Sequence, residues 1–440
     1  MSDPLFEFCG CDVHKDQIEV AWLDVTGAIF RHGTYSNTPA GVKLFWKECL
    51  QLSTRKVAME STGIYWKALY DTCPPNIDKL VFNPATIKLK TRPKTDTKDA
   101  MWIARCLRAG FLKPSNISIG RHRELKDLCR LRTKIVDEIT KHKNTIQKIL
   151  SEYQRVLTSF TSNMNTQLAL HALEALATQR DFSTWFDHLP SKRLRNSATK
   201  HHRALKQFLT PSLPASVAFQ LELALRAILE RAQACTRVER QFSQALQEPT
   251  IRTPVAFISS IPGFSGVSAL HLYIELGNVH RFPTKRHLVS WAGICPRVRS
   301  SGGKTSYGRI TKQGNPHVRR ILFQAAKASL RAKNNLLKNW YRRLARKKTG
   351  KVALVALARK LLVIAYTLLK KEEFYQENSL IGEVKIYSTA KKIVQGLTQE
   401  PIRPLIQILI EWLNVPERER KPLENLLNQM SGAIYSPKGI

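Results

Sequence analysis

The first hundred residues carry short apolar blocks, and the chain beyond them repeats apolar positions at spacings of three and four. Phe6–Asp12 and Ile18–Asp24 are apolar segments separated by the polar run HKDQ, which predicts a hairpin. A turn at Val25–Gly27 leads to a third short strand, Ala28–His32. Lys56–Glu60 reads as a strand that stops at Ser61-Thr62-Gly63, with Ile64–Tyr70 as the helix after it. Leu80–Asn83 is a further buried-type strand, ended by Pro84. Strands in succession, then strands alternating with helices, predict a mixed α/β sheet.

From Arg121 to about Ser159, Leu125, Leu128, Leu131, Ile135, Ile139, His142, Ile146 and Ile149 mark one face of a long helix. A second long helix follows Pro214, with Val217, Leu221, Leu225, Ile228, Ala232, Cys235 and Phe242 on its stripe. Two such stripes suit an antiparallel coiled coil or a dimer seam. The stretch between them, Thr161–Leu213, reads as shorter helices and loops, and Ile251–Asn315 is rich in Gly, Ser and Pro turns. His317–Lys347 and Lys351–Lys370 are helical, and the tail to Ile440 reads as helical pieces broken at Pro401, Pro404 and Pro416. Val352–Leu369 is apolar enough to suggest a membrane span. Arg359 and Lys360 in its middle argue for a buried or amphipathic helix instead.

Charge changes the picture. The 440 residues hold 70 Lys+Arg against 34 Asp+Glu, a net charge of +36. A fold so charged repels itself unless a polyanion shares the surface. Membrane binders concentrate such charge in one helix or tail, whereas here it runs from Arg92 onward, which favours nucleic acid over a membrane partner. The eight cysteines form no CxxC pair, and the N-terminus MSDPLFEF carries no secretory pattern, so reduced thiols in a cytoplasmic, nucleoid-associated protein are expected.

Against this basic background the acids at strand and helix ends stand out. Asp12 lies where the first strand meets its turn, and Glu60 ends a later strand. Asp96 and Asp99, in KTDTKDAMWIA, share one face as a helix begins. Converging carboxylates repel unless cations sit between them, and oxygen donors favour Mg²⁺ or Mn²⁺. Paired ions of this kind serve phosphodiester chemistry. Singly, each acid has an ordinary reading as a turn residue or a helix-start acid. Asp16, Glu19 and Asp24 read as turn or surface residues.

The segment ISSIPGFSGV reads helix, tight turn, helix; the turn Pro262–Gly266 can offer backbone N–H groups to a phosphate at the start of the next helix, which makes Pro262, Gly263 and Gly266 candidate nucleic-acid contacts. Next, Arg297, Arg299, Lys304, Arg309, Lys312, Arg319 and Arg320 bracket Ser300 and Ser301, which two glycines follow. A serine there is a phosphate contact, or a nucleophile if a base or metal activates it. Tyr307 is a rival nucleophile or a stacking residue. His201, His202, His271 and His280 lack metal spacing and read as surface or core residues.

GCDVHKD, AMESTGIYW and KTDTKDA resemble the three acidic segments of the DEDD transposases of insertion-sequence family one-ten. The PG turn, the SSGG run and the segment GRITKQGN resemble that family's C-terminal domain. The resemblance covers roughly residues 6–160 and 250–345. It implies a ribonuclease H-like α/β domain, similar to the Holliday-junction resolvase, over 1–115. A mainly helical coiled-coil, dimerising region over 116–250, a mainly helical serine-bearing domain over 251–350 and a helical extension over 351–440 complete the expected division. Asp12, Glu60, Asp96 and Asp99 fall on the family's Mg²⁺-binding acids, and Ser301, with Ser300 one residue away, falls on its nucleophile. The implied activity is cutting and rejoining DNA at element ends and target, guided by a bridge RNA and performed by a dimer or tetramer. Two other readings remain at this stage: a metal-dependent structure-specific nuclease in which water attacks, and a basic nucleic-acid scaffold without catalysis.

Overall fold

The computed structural model describes residues 5–376, apart from 29, 62, 85–86, 88–94, 302–303 and 333–335. The chain divides into two compact units, Met1–Ile119 and Gly120–Ile440. The expected helical tail beyond residue 376, with its prolines, lies outside the described residues.

The first unit is built on a sheet of β1 (Phe8–Val13), β2 (Gln17–Leu23), β3 (Phe30–Ser36), β4 (Lys56–Glu60) and β5 (Asp78–Phe82). Their order is β3-β2-β1-β4-β5; β1, β2 and β3 pair antiparallel, and β4 and β5 run parallel to β1. The expected α/β hairpin and strands are present, with β3 starting two residues later than the sequence suggested. The sequence reading had no helix between β3 and β4. The structure places α1 (Pro39–Gln51) there, opened by Thr38, whose hydroxyl accepts from the Gly41 N–H, and by a proline at the first position. The short α2 (Trp66–Asp71) follows β4, and α3 (Asp96–Arg108) follows β5.

Alternation along β1 divides the sheet into two faces. Cys9, Cys11 and Val13 join Val57 and Met59 against Phe45, Trp46 and Cys49 of α1. Burial pushes the Cys9 and Cys11 thiols up, so they stay protonated and behave as small apolar side chains. On the opposite face Ala21 and Leu23 meet Ala100 and Ala104 of α3, and Ala58 and Phe82 meet Ile103 and Leu107. Gly10 is also on this face. A Cβ there would overlap the Ala104 nitrogen and the Ala100 carbonyl oxygen, so glycine is what lets α3 lie directly on β1.

In the second unit α4 (Gly120–Glu152) runs antiparallel to α9 (Ala215–Ala245), with α5 (Gln167–Ala177), α6 (Phe182–Asp187), α7 (Lys192–Lys200) and α8 (His202–Leu209) between them in sequence. Ion pairs of Arg132 with Glu239 at 2.7 Å and of Arg231 with Glu138 at 3.2 Å lace the pair and fix its direction. The two stripes thus meet within one chain, although Leu131 of the expected stripe is exposed, as are Phe219, Leu223 and Leu229 of α9. At one end Ile146, Ile149 and Leu150 meet Ala218 and Leu221 and the short helices, around Leu173, Trp185, Leu205 and Phe208.

At the other end Leu125, Cys129, Val238 and Phe242 enter a larger core. That core is completed by α10 (Pro249–Ser259), α11 (Gly266–Leu276), α12 (Lys285–Trp291), α13 (Pro316–Ser329), α14 (Leu336–Lys347) and α15 (Gly350–Lys371). The apolar run of α15 buries Ala353, Leu357, Leu361, Leu362 and Ala365, as expected for a core helix. Between α12 and α13 lies a feature the sequence reading left as turns: an antiparallel hairpin of β6 (Pro296–Ser301) and β7 (Lys304–Ile310).

Glu275 of α11 ties α4 to this core. Its carboxylate accepts from Arg130 Nε at 2.8 Å, Arg130 Nη2 at 3.1 Å and Asn315 Nδ2 at 2.7 Å, with Lys126 Nζ at 3.8 Å. Burial alone would push Glu275 up, but these partners outweigh it and hold the carboxyl below its ordinary value. The two partners are unequal: the Glu275 side chain is 2% exposed and that of Arg130 42%. Arg130→Ala is therefore expected to destabilise the protein by about 3 kcal/mol, since it leaves a buried carboxylate with only Asn315 and the more distant Lys126, and Glu275→Leu by less, since Arg130 turns to water. Chemical denaturation of both variants checks this; equal losses would remove the asymmetry. In the first unit, Gly10→Ala is expected to lower stability by about 1–3 kcal/mol in the same assay by forcing α3 off the sheet.

Candidate functional site

The carboxylates are positioned by the same face of the sheet. Gly10 and Asp12 lie on the α3 side of β1, and Ala58 and Glu60 on the α3 side of β4. The parallel register pairs Cys11 with Met59, so one step further brings Asp12 and Glu60 side by side at the strand ends. Helix α3 runs against the direction of β1: Ala100 and Ala104 cover Gly10, and Arg108 reaches back to the Val25 carbonyl. Its N-terminus therefore arrives at the end of β1 that carries Asp12. Thr95 caps that helix by accepting from the Lys98 N–H, which leaves Asp96 and Asp99 in the first turn without a capping duty.

His14, which the sequence reading did not single out, joins the group. Its Nε2 lies 3.3 Å from Asp12 Oδ2 and 3.8 Å from Asp96 Oδ1. Asp12, His14 and Asp96 offer ligand atoms all within 4.8 Å of one another. Burial raises the Asp12 pKa, the charges of Glu60 and Asp99 raise it further, and His14 lowers it. The structure thus links Asp12, His14 and Asp96 by contact, and Glu60 and Asp99 to Asp12 through charge. This donor set fits a divalent cation, which would relieve the repulsion that Asp12 carries.

Among the neighbouring acids, Asp16 is an exposed turn residue, as expected. Glu19 is not on the surface. It is buried directly across from Asp12 on β2 and pairs with His32 at 3.1 Å and Thr34 at 2.9 Å. Asp24 is buried too, accepting from Thr26 within the turn.

The basic segment takes its form from the hairpin. Arg297, Arg299 and Ser301 alternate along β6, so they share one face, and all are exposed. Ser301 pairs with Lys304 across the tip, and Ser300 with Thr305, whose hydroxyl lies 3.4 Å from the Ser300 hydroxyl. The side chains of Lys304 and Tyr307 lie outside the described residues. The base is locked by close backbone approaches: Gly293 and Gly314 have φ of +67° and +126°, and a Cβ on either would strike Gln313 or Trp291 carbonyl oxygens. Lys312, also at positive φ, donates its N–H to the Gly293 carbonyl while its side chain stays exposed. Arg297, Arg299, Arg309 and Lys312 make no ion pair among the described residues.

Arg319 and Arg320 are placed differently. Arg319 donates to the Ala292 carbonyl at the end of α12, and Arg320 grips Asp137 of α4 through two 2.6 Å bonds. Both hold the fold together, whatever else they touch. The turn before α11 is likewise self-contained. Ser265 and Ser268 form a reciprocal capping box, which takes the N–H groups of both. Gly263, at φ +104°, lies against the Ala325 carbonyl of α13, and Gly266 is buried at the helix start beside half-buried Pro262.

Two family models match the chain. One, of the DEDD type and described as a transposase, covers residues 9–155. The other, described as the transposase IS116/IS110/IS902 family, covers residues 255–342. Together they span more than half of the chain. The transposase for insertion sequence element IS1111A of Coxiella burnetii is 25% identical over 382 residues, 83% of this chain and 90% of its own length. An insertion element IS110 uncharacterized 43.6 kDa protein of Streptomyces coelicolor is 32% identical over 37% of this chain and 38% of its own. A pilin gene-inverting protein of Moraxella bovis is 27% identical over 32% of this chain and 44% of its own.

The repulsion at Asp12 has a measurable consequence. With divalent ions chelated, Asp12→Asn is expected to melt at or above the temperature of the unaltered protein. Added Mn²⁺ should then raise the melting temperature of the unaltered protein and leave Asp12→Asn in place, because only a folded, intact site binds the ion. An equal rise in both would place the ion elsewhere.

Proposed function

Because the chain belongs to the IS116/IS110/IS902 transposase family and is thereby an enzyme that recombines DNA, we propose that it joins strands through Ser301 while Asp12, Glu60, Asp96 and Asp99 hold Mg²⁺ at the reacting phosphate. The observation that carries the metal half is the meeting of Asp12 and Asp96 with His14 at the end of β1, their ligand atoms all within 4.8 Å of one another. When bound, the divalent ion neutralises the phosphate and assists the attacking and leaving oxygens. The family membership removes the reading as a scaffold without catalysis.

In this proposal the exposed guanidinium groups of Arg297 and Arg299 seat a DNA phosphate beside Ser301 on their own face of the hairpin. The Ser301 oxygen attacks phosphorus, one bridging P–O bond breaks, the serine proton leaves to solvent or a carboxylate, and the departing DNA oxygen is protonated. A free DNA hydroxyl then attacks the phosphoserine ester and releases the serine. Asp12 and Glu60 would hold the ion from the strand ends, and Asp96 and Asp99 from the start of α3, where the helix terminus tempers their mutual repulsion.

The wider assignment follows from the same premise. Residues 1–115 bear the acids, 116–250 the helical pair, 251–350 the serine, and 351–440 an extension whose first helix, α15, packs into the serine-bearing core. The long helical pair is proposed as an antiparallel coiled coil that serves dimerisation. A guide RNA and a dimer or tetramer are proposed because joining element ends to a target requires several strands held together, and the +36 charge suits two polyanions. The setting proposed is the cytoplasm, at the nucleoid.

One observation favours a second reading. Among the described residues no carboxylate or imidazole partners Ser301. In a nuclease reading water attacks and Ser301 only touches phosphate. Suicide DNA substrates decide between them: a covalent protein–DNA adduct is expected with the unaltered protein and absent in Ser301→Ala, while Ser300→Ala retains it. Strand joining that survives Ser301→Ala, or an adduct lost only in Ser300→Ala, would overturn the assignment.

A further inference from the structure

We infer that His14 is a nitrogen ligand of the divalent ion and tilts the site from Mg²⁺ toward Mn²⁺. This rests on the reading of Asp12 and Asp96 as metal ligands and adds to it a residue and a preference. His14 sits in the turn between β1 and β2, and that turn is held on both sides. Its N–H donates to the Gln17 carbonyl at 2.9 Å, and its own carbonyl accepts from Asn37 Nδ2 at 2.8 Å. With the backbone anchored, the ring projects across the end of β1 so that Nε2 faces both carboxylates.

The distances suit neighbouring ligands on one small ion. Adjacent donors around an ion with bonds of about 2.1 Å lie about 3 Å apart, and opposite donors about 4 Å. Nε2 stands 3.3 Å from Asp12 Oδ2 and 3.8 Å from Asp96 Oδ1, between those limits. An ion can also reach the site from water. The side chains of His14 and Asp96 are 45% and 52% exposed, whereas that of Asp12 is 15% exposed and forms the floor.

Chemistry then sets the preference. Mg²⁺ is a hard ion that favours oxygen donors and keeps its waters, whereas Mn²⁺ tolerates imidazole. Asp12 and Asp96 with the His14 nitrogen would suit Mn²⁺ better than an all-oxygen set. Asp16 and Lys15 of the same turn are exposed.

Full-length protein loaded with Mn²⁺ and read by pulsed electron spin-echo spectroscopy tests this directly. The expected result is modulation from one directly bound nitrogen, lost in His14→Ala and in His14→Asp. Calorimetric titration should show Mn²⁺ affinity falling on the order of tenfold or more in His14→Ala, with Mg²⁺ affinity changed less. In His14→Asp the ion should remain bound, with the preference returned toward Mg²⁺. Bound Mn²⁺ without nitrogen modulation, or modulation that persists in His14→Ala, overturns the inference and leaves the carboxylate site standing. No Mn²⁺ binding in the unaltered protein overturns both.

Discussion

Like charges brought together at the end of β1 are the constraint on which the first unit turns. Asp12 is mostly buried and sits in the field of Glu60 and Asp99, which raises its pKa. Nothing in ordinary sheet packing asks for that arrangement. The backbone around it makes the arrangement hold: Gly10 lets α3 descend onto β1, and Ala100 and Ala104 present only small side chains at the contact. Thr95 takes the capping role, and the helix N-terminus offsets each first-turn acid by about 0.3–1 kcal/mol. On the opposite side of the sheet, Cys9, Cys11, Val57 and Met59 form an uncharged core with α1 that needs none of these devices.

The second unit answers the opposite electrostatic problem. Its acids are used where they hold basic helices together: Glu138 and Glu239 between α4 and α9, Asp137 on Arg320, and Glu275 on Arg130. Once those carboxylates are engaged, the cations of the β6–β7 hairpin stand exposed without protein counter-charges among the described residues. A surface of that kind binds phosphate with an affinity that falls as salt rises. The division of labour is local, between acids that build and cations that remain.

The strands of the first unit and both long helices were legible because their apolar spacing is regular. KVAME is one clean strand, and Leu125, Ile135, Ile146 and Ile149 of the expected stripe share the buried face of α4, while Leu131 is exposed and Cys129 takes the buried place. Helix α1 was not. Its clearest signal was Thr38-Pro39, a cap followed by proline, and it was overlooked in favour of the strands around it. The β6–β7 hairpin was hidden for a different reason: PRVRSS and KTSYGRI hold few apolar residues, so the exposed ribbon carries no apolar period to read. The acids of the site were legible as residues, but their meeting depends on the direction of α3 over Gly10, which sequence spacing does not encode. His14 was in plain view two residues after Asp12 and needed the turn geometry to matter. Glu19 misled in the opposite sense, since its neighbours in sequence are polar while its partners, His32 and Thr34, come from another strand.

Glycine and serine show why a motif needs a structure before it is given a task. Gly263 in the PG turn has the freedom expected of a phosphate loop, yet what demands it is the Ala325 carbonyl of α13, and the adjoining serines satisfy each other. Ser301 is the reverse case. Its place at a hairpin tip, exposed and alternating with Arg297 and Arg299, has no packing purpose. A hydroxyl at ordinary pH is a weak nucleophile, and the hairpin offers it cations for the phosphate but no proton acceptor among the described residues. If Ser301 attacks the phosphate as proposed, its activation comes from outside β6 and β7.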